Sequence, residues 1–249
     1  MERVPSLFRN LGRITYLELL WGLRVPESLV YNFFAPALVL ILLGLIRGNK
    51  DYLHVLVSGV LAMTIASSAL QGIGTKMSFM RAYGSWRTLQ ASPIPTSLYF
   101  FGLVCSRMVR IVLIAAFLLA VAMVFLRYRP QGNVVLILLY VVIGTSVFSS
   151  LGLVIACLVR SPQAVSGILN LVLLPMIFTS DVLFISNIAW VKKISLAFPL
   201  TFLVRLIRDD LQGAGLGSSG LASIGMLATW LIVCSWAAFG LVKRSVEER

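Results

Sequence analysis

Charge is what this sequence of 249 residues has least of. Only 12% of its residues are charged, against about 25% in ordinary soluble chains. Carboxylates are scarcer still, at 9 against 21 lysines and arginines, and there is a single histidine. No glutamate falls inside an apolar run, and the one aspartate inside such a run is Asp181. Acid–base catalysis by paired carboxylates therefore has no candidate. His54 opens an apolar run and reads as an interfacial polar residue rather than a base. The three cysteines, Cys105, Cys157 and Cys234, lie in or beside apolar runs at no metal-ligand spacing, so they read as small buried hydrophobes. A G-x-x-x-x-G-K-[ST] loop is also missing, which denies the chain a phosphate-binding loop of the usual kind. The G-x-G-x-x-G at 215–220 follows no expected strand and reads as a flexible linker.

What the chain has instead is apolar surface. It is 59% hydrophobic, with a mean hydropathy of +0.96. No single soluble core of this length hides so much, and disorder requires the opposite composition. Lipid is the solvent. The net charge of +12 would suggest nucleic acid in a soluble domain. In a membrane chain it reads as topology and contact with anionic headgroups, with no nucleic-acid partner.

Six runs approach the roughly 20 apolar residues that cross a bilayer: 30–46, 53–73, 111–126, 134–159, 164–185 and 221–242. The third follows Arg107 and Arg110, which would snorkel to the headgroups there. Six spans place both termini on one side. With that side cytoplasmic, 13 of the 21 basic residues are inside, so the charge bias favours cytoplasmic termini. No short apolar core with a cleavage site follows the first residues, so no cleaved signal peptide is expected. The fold class expected is all-α integral membrane, a single domain over 1–249.

Three pieces do not span. In 1–29, Leu7, Leu11, Ile14, Leu17 and Trp21 share a helical face, Arg9, Arg13 and Arg24 fall on another, and Glu18 breaks the apolar one. This predicts an amphipathic interfacial helix. In 76–97, Ser85 starts a short helix that ends before Pro93, with Trp86 and Leu89 on one face. That pair is either a docking knob or an interfacial anchor. In 186–220, an apolar but interrupted stretch predicts two short re-entrant or interfacial helices divided at Pro199. Within the spans, Ser67, Ser68, Gln71 and Thr75 make a polar stripe on the second, and Asn170 and Thr179 are polar sites on the fifth. Such residues line a path or bond between helices.

Two sets of residues carry a resemblance. Gly84-Ser85-x-x-x-Leu89-x-x-Ser92-Pro93 is similar to a G-T-x-x-x-L-x-x-[ST]-P motif. Gly152-Leu153, Arg160-Ser161, Leu173-Leu174-Pro175-Met176 and Phe198-Pro199-Leu200-Thr201 follow a G-L … R-S … L-L-P … N-P-L-T series in order and spacing. On these the chain resembles the type-2 permease subunits of bacterial ATP-binding-cassette exporters of drugs, lipids and lipid-linked glycans, over nearly its whole length. It departs at Met80 and Ala82, where the family often has glutamate, and at Asp181, where it usually has glycine. The resemblance implies a homodimer or heterodimer in the bacterial inner membrane, in contact with lipid. It also implies a separate ATPase subunit that binds ATP and Mg, so that this chain needs no cofactor. By the same resemblance the coupling segment would hold Arg81, Gly84, Ser85, Trp86, Arg87, Leu89 and Pro93. The translocation path would involve Ser67, Ser68, Gln71, Thr75, Asn170, Thr179 and Asp181. A non-transporting scaffold or assembly factor, and an integral-membrane lipid-modifying enzyme, stand as alternatives.

Overall fold

Ten helices account for nearly all of the residues described by the computed structural model, which are 3–24, 26–47, 49–91, 95–159, 161–182, 189–215 and 217–247. No strand occurs among them. In chain order the helices are α1 (Arg3–Leu23), α2 (Pro26–Arg47), α3 (Lys50–Ala82), α4 (Ser85–Gln90), α5 (Thr96–Phe125), α6 (Val134–Leu158), α7 (Pro162–Thr179), α8 (Ala189–Ser195), α9 (Pro199–Leu211) and α10 (Ser218–Glu247). Helices α3, α5, α6, α7 and α10 are each long and apolar enough to cross a bilayer, and α2 carries a shorter apolar stretch, Asn32–Arg47. The chain is an all-α integral membrane protein.

Helix α3 is the axis of the bundle. It packs against α2, α5, α6, α7 and α9, and 78% of its most apolar window is buried, against 17% for α10. Small residues let it serve so many neighbours. A Cβ on Gly152 of α6 would press into the Leu70 carbonyl of α3, and a Cβ on Gly74 would lie 3.1 Å from the Gly152 carbonyl. The two helices cross at these glycines, as small-residue contacts allow in lipid, where close van der Waals packing replaces the hydrophobic drive. The remaining wall is a single apolar cluster reaching from Ala37 to Leu227.

Several helices differ in extent from the apolar runs. The third run starts at residue 111, yet α5 starts at Thr96. Arg107 and Arg110 lower local hydropathy without disturbing helix propensity, so the helix runs through them. For the same reason α3 continues past Lys76 and Arg81 to Ala82, and the connection read over 76–97 shrinks to a turn, α4 and a short link. Helix α7, the fifth of the apolar runs, closes at Thr179 with Ser180 at its C-cap; residues 183–188 lie outside those described. Helix α2 begins at Pro26, taking the end of the 1–29 piece. Between the fifth and sixth spans, α8 and α9 meet at Pro199, as predicted, with Pro199 in the first turn of α9.

Candidate functional site

One face of α3 lines a cavity of about 1060 Å³. The lining positions recur at intervals of three and four from Val60 to Met80, and include Thr64, Ser67, Ser68, Gln71 and Thr75. At 1.5 Å per residue this face is about 30 Å long, the thickness of a bilayer's hydrocarbon core. Asn32 to Val39 of α2 and Asn170 to Ile177 of α7 supply two more walls, and Trp21 of α1 closes one side. The volume sits at the upper end of ordinary ligand pockets.

The polar stripe is only partly self-satisfied. Thr64 donates to the Val60 carbonyl at 2.7 Å, Ser67 to Thr64 at 3.3 Å, and Thr75 to Gln71 at 2.5 Å. Each hydroxyl thus spends its proton on its own helix and keeps acceptor lone pairs for the cavity. Gln71 Nε2 donates instead to Asn170 Oδ1 at 2.9 Å, joining α3 to α7. Gln71 thus both lines the cavity and bonds between helices. Thr179 donates to the Pro175 carbonyl at 2.7 Å; neither it nor Asp181 is among the residues lining the cavity.

At one end the cavity is charged. Glu18 of α1 forms an ion pair with Lys76 of α3 and accepts from Tyr99 Oη at 3.3 Å. Two α5 arginines lie alongside. Arg107 donates to the Gly72 carbonyl at 3.1 Å and Arg110 to the Glu18 carbonyl at 3.4 Å. Each sits in a glycine notch: a Cβ at Gly72 would meet the Arg107 guanidinium, and one at Gly22 would overlap that of Arg110. Glu18, the residue that interrupts the apolar face of α1, is the one that anchors this helix to α3. Ile14 of the same helix is buried against Gly102 of α5, whereas Leu17 and Trp21 are exposed.

Tyr83 and Ser85 line the same end of the cavity. Gly84 between them has φ +75°, a left-handed turn that suits glycine, and α4 begins at Ser85. Leu89 is half-buried against the bundle. The backbones of Trp86 and Arg87 belong to α4; their side chains, and Pro93, lie outside the described residues. Arg81 turns inward and donates to the Ala156 and Cys157 carbonyls at 2.9 and 3.1 Å, which caps the C-terminus of α6.

A family model for the ABC-2 type transporter matches residues 12–211. The chain belongs to that family. The match runs from α1 through α9 and so takes in every wall of the cavity as well as α4. This ABC-2 type chain is a membrane permease component of an ABC transporter, a multi-pass membrane protein rather than an enzyme. A comparison with curated proteins returns no match.

In this permease several of the described residues that carried the resemblance shape the bundle. Gly152 is the α3–α6 crossing, Ser161 caps α7 by accepting from the Ala164 N–H at 3.2 Å, and Pro175 lies inside α7. Thr201 Oγ1 lies 2.5 Å from the Ser195 carbonyl and 3.0 Å from Ser180 Oγ, so it ties the ends of α7, α8 and α9 together.

At the far end of the molecule sequence reasoning singled out His54 and Asp181 but passed over Tyr128, Arg208 and Asp210. Arg208 of α9 donates to the Asp181 carbonyl at 2.6 Å and to Ser58 Oγ of α3 at 3.3 Å. Asp181 has φ +51°, and Gly59 leaves room for the Val182 carbonyl. Burial pushes the Arg208 guanidinium below its ordinary value, opposed by Asp181 and Asp209. Asp210, 2% exposed, accepts from the Asn133 N–H at 3.3 Å, and burial raises its carboxyl above the ordinary range. Tyr128 bonds to His54 Nδ1 at 2.8 Å, and burial pushes its phenol up to about 12. The α5–α6 connection is thereby fixed to both α3 and α9. The only sequence signal for this was an excess of polar residues in a stretch otherwise too apolar for a loop.

Proposed function

We propose that this permease is the membrane-spanning subunit of an exporter that moves an amphipathic, lipid-like, drug-like or lipid-linked glycan cargo outward across a bacterial inner membrane. A separate ATPase subunit binds ATP and Mg and drives the cycle, and both termini of this chain are cytoplasmic. The observation that carries the reading is the continuity of the cavity, which runs along about 30 Å of α3 and ends at Tyr83 and Ser85, where α4 begins. A helix displaced at α4 would act directly on the cavity wall. Membership of the family implies the ATPase partner.

In this account α4 is the coupling helix, with Gly84 giving its entry turn, Ser85 its start and Leu89 its grip on the bundle. Trp86 and Arg87 contact the ATPase, and Pro93 ends the segment. Arg81 holds α3 to α6 behind it. Cargo passes along Ser67, Ser68, Gln71, Thr75 and Asn170, with Thr179 and Asp181 toward the exit. The outward faces of α2 and α7 beside the cavity are apolar and exposed, at Phe34, Leu38, Leu171 and Phe178. They support pairing with a second permease copy, identical or related, around the path. Nucleotide binding closes the ATPase pair, moves the two α4 helices and shifts the permease pair between two packed states.

Co-expression with an ATPase encoded by a neighbouring gene, followed by co-purification in detergent, tests the coupling role. The parent retains the ATPase, and a correctly inserted Trp86→Ala, Arg87→Glu variant loses it. Equal retention by parent and variant would remove α4 from the interface.

A further inference from the structure

The charged end of the cavity is out of balance. Among the described residues, Lys76, Arg107 and Arg110 face one carboxylate, Glu18, which already holds Lys76 and Tyr99. A guanidinium has five N–H donors. Among the described residues, one donor of Arg107 goes to the Gly72 carbonyl and one of Arg110 to the Glu18 carbonyl. Arg110 is 8% exposed, and its Nε is buried with no hydrogen-bond partner among the described residues. A desolvated cation left unpaired is costly, and in membrane proteins such groups mark substrate or ion pathways.

Three features make this more than a clamp on α1. Arg107 and Arg110 are three residues apart on α5, so both point to the same side of the helix. The glycines at 22 and 72 give their guanidiniums room at the cavity wall. The site's surplus of two positive charges matches a phosphate group, which carries about −1.5 to −2 near neutral pH, and guanidinium forks fit phosphate oxygens in pairs. Beyond the cluster the walls turn apolar, with Ala35, Pro36 and Val39 on one side and Leu173, Leu174 and Ile177 on the other.

We propose that Lys76, Arg107 and Arg110 bind the phosphate of an anionic amphiphile, whose apolar tail lies against α2 and α7. The proposal rests on reading the cavity as the cargo path, and it narrows the cargo to a phosphate-bearing lipid or lipid-linked molecule. Lys76 supplies a point charge and the two arginines supply paired donors. Glu18 keeps Lys76 aimed at the site when no cargo is bound.

The test uses the full chain in phosphatidylcholine nanodiscs and compares binding of fluorescent dioleoyl phosphatidic acid with that of dioleoylglycerol. Phosphatidic acid binds more tightly by about tenfold or more, as charge-assisted hydrogen bonds predict. Arg107→Gln and Arg110→Gln each erase most of that preference. Lys192→Gln with Lys193→Gln, which removes two charges on α8, leaves it intact. Inorganic phosphate competes only at far higher concentration.

Equal binding of the two lipids by the parent protein overturns the proposal without recourse to any variant. Unchanged preference in both arginine variants also overturns it. Inorganic phosphate binding as tightly as the lipid would assign the site to free phosphate and overturn the amphiphile. Absence of the preference in the parent protein, with ATPase docking intact, would sink this inference alone. A preserved preference with no docking would instead sink the exporter reading.

Discussion

Gln71 Nε2 donates to Asn170 Oδ1 across 2.9 Å and so holds α3 to α7 on the wall of the cavity. The bond joins the most buried of the long helices to one of the more exposed. Any change in the cavity's width that moves α7 away from α3 must stretch or break it.

Interhelical hydrogen bonds in membranes couple by about 0.6 kcal/mol on average and up to about 1.7. A cycle of Gln71→Leu, Asn170→Leu and the double variant should give a coupling energy in that range, measured by denaturant titration in mixed micelles. The double variant should be more stable than the two single losses added together. Strict additivity would mean that the bond does not form.

The α3–α6 crossing depends on the missing Cβ at Gly152. Gly152→Ala must push α6 off the Leu70 carbonyl, and overpacking of this kind costs about 1–3 kcal/mol. In α10, Gly225 has open space where a Cβ would go. Gly225→Ala should leave stability unchanged or raise it by up to about 1 kcal/mol. Thermal unfolding of the two variants in the same detergent checks the contrast, and similar behaviour would contradict the crossing.

Much of this architecture is legible in the residues. Apolar run length separates the spans, Pro199 divides α8 from α9, and the three-and-four spacing of Ser67, Ser68, Gln71 and Thr75 marks the face of α3 that lines the cavity. Helix ends are harder, because hydropathy and helix propensity part company at charged residues. Arg107 and Arg110 look like the edge of a span and lie well inside α5. Their contact with α1 is equally hidden: Arg110, 92 residues from Glu18, gives no local sign of it. Arg81 also donates to the Ala156 and Cys157 carbonyls at the end of α6, a contact 75 residues away that no local pattern signals. Arg208 and Asp181 are 27 residues apart, and their contact is made by backbone geometry that no side-chain pattern announces.

Asp210 gives a pH dependence with a definite sign. Burial raises its carboxyl above the unfolded value, so the folded state binds the proton more tightly. Stability therefore falls as pH rises from the ordinary carboxylate range through the raised value, and the cost is fully present above it. Asp210→Asn keeps an acceptor for the Asn133 N–H and removes the charge. It should be at least as stable as the parent at neutral pH, and the difference should shrink on acidification toward about pH 4. Melting curves of both proteins across that range check it; an advantage that grows in acid would contradict the assignment.

Arg208 locks the end of α7 to α9 and α3. Arg208→Met strips the Asp181 carbonyl of its donor and should cost about 1–3 kcal/mol. The local readout is limited proteolysis, which should cut next to Asp181 faster while the α5–α6 connection resists as before. Unchanged cleavage would show that Arg208 does not hold that segment.

Coupling of nucleotide hydrolysis to movement along the α3 cavity tests the central claim most directly. The permease and its ATPase would be placed in liposomes with fluorescent phosphatidic acid, and ATP-driven transfer of the lipid between leaflets followed by dithionite quenching. The account predicts ATP-dependent transfer that is abolished by Trp86→Ala with Arg87→Glu and strongly reduced by Arg107→Gln. Transfer equally fast in the α4 variant and the parent, or no ATP dependence in the parent, would contradict it.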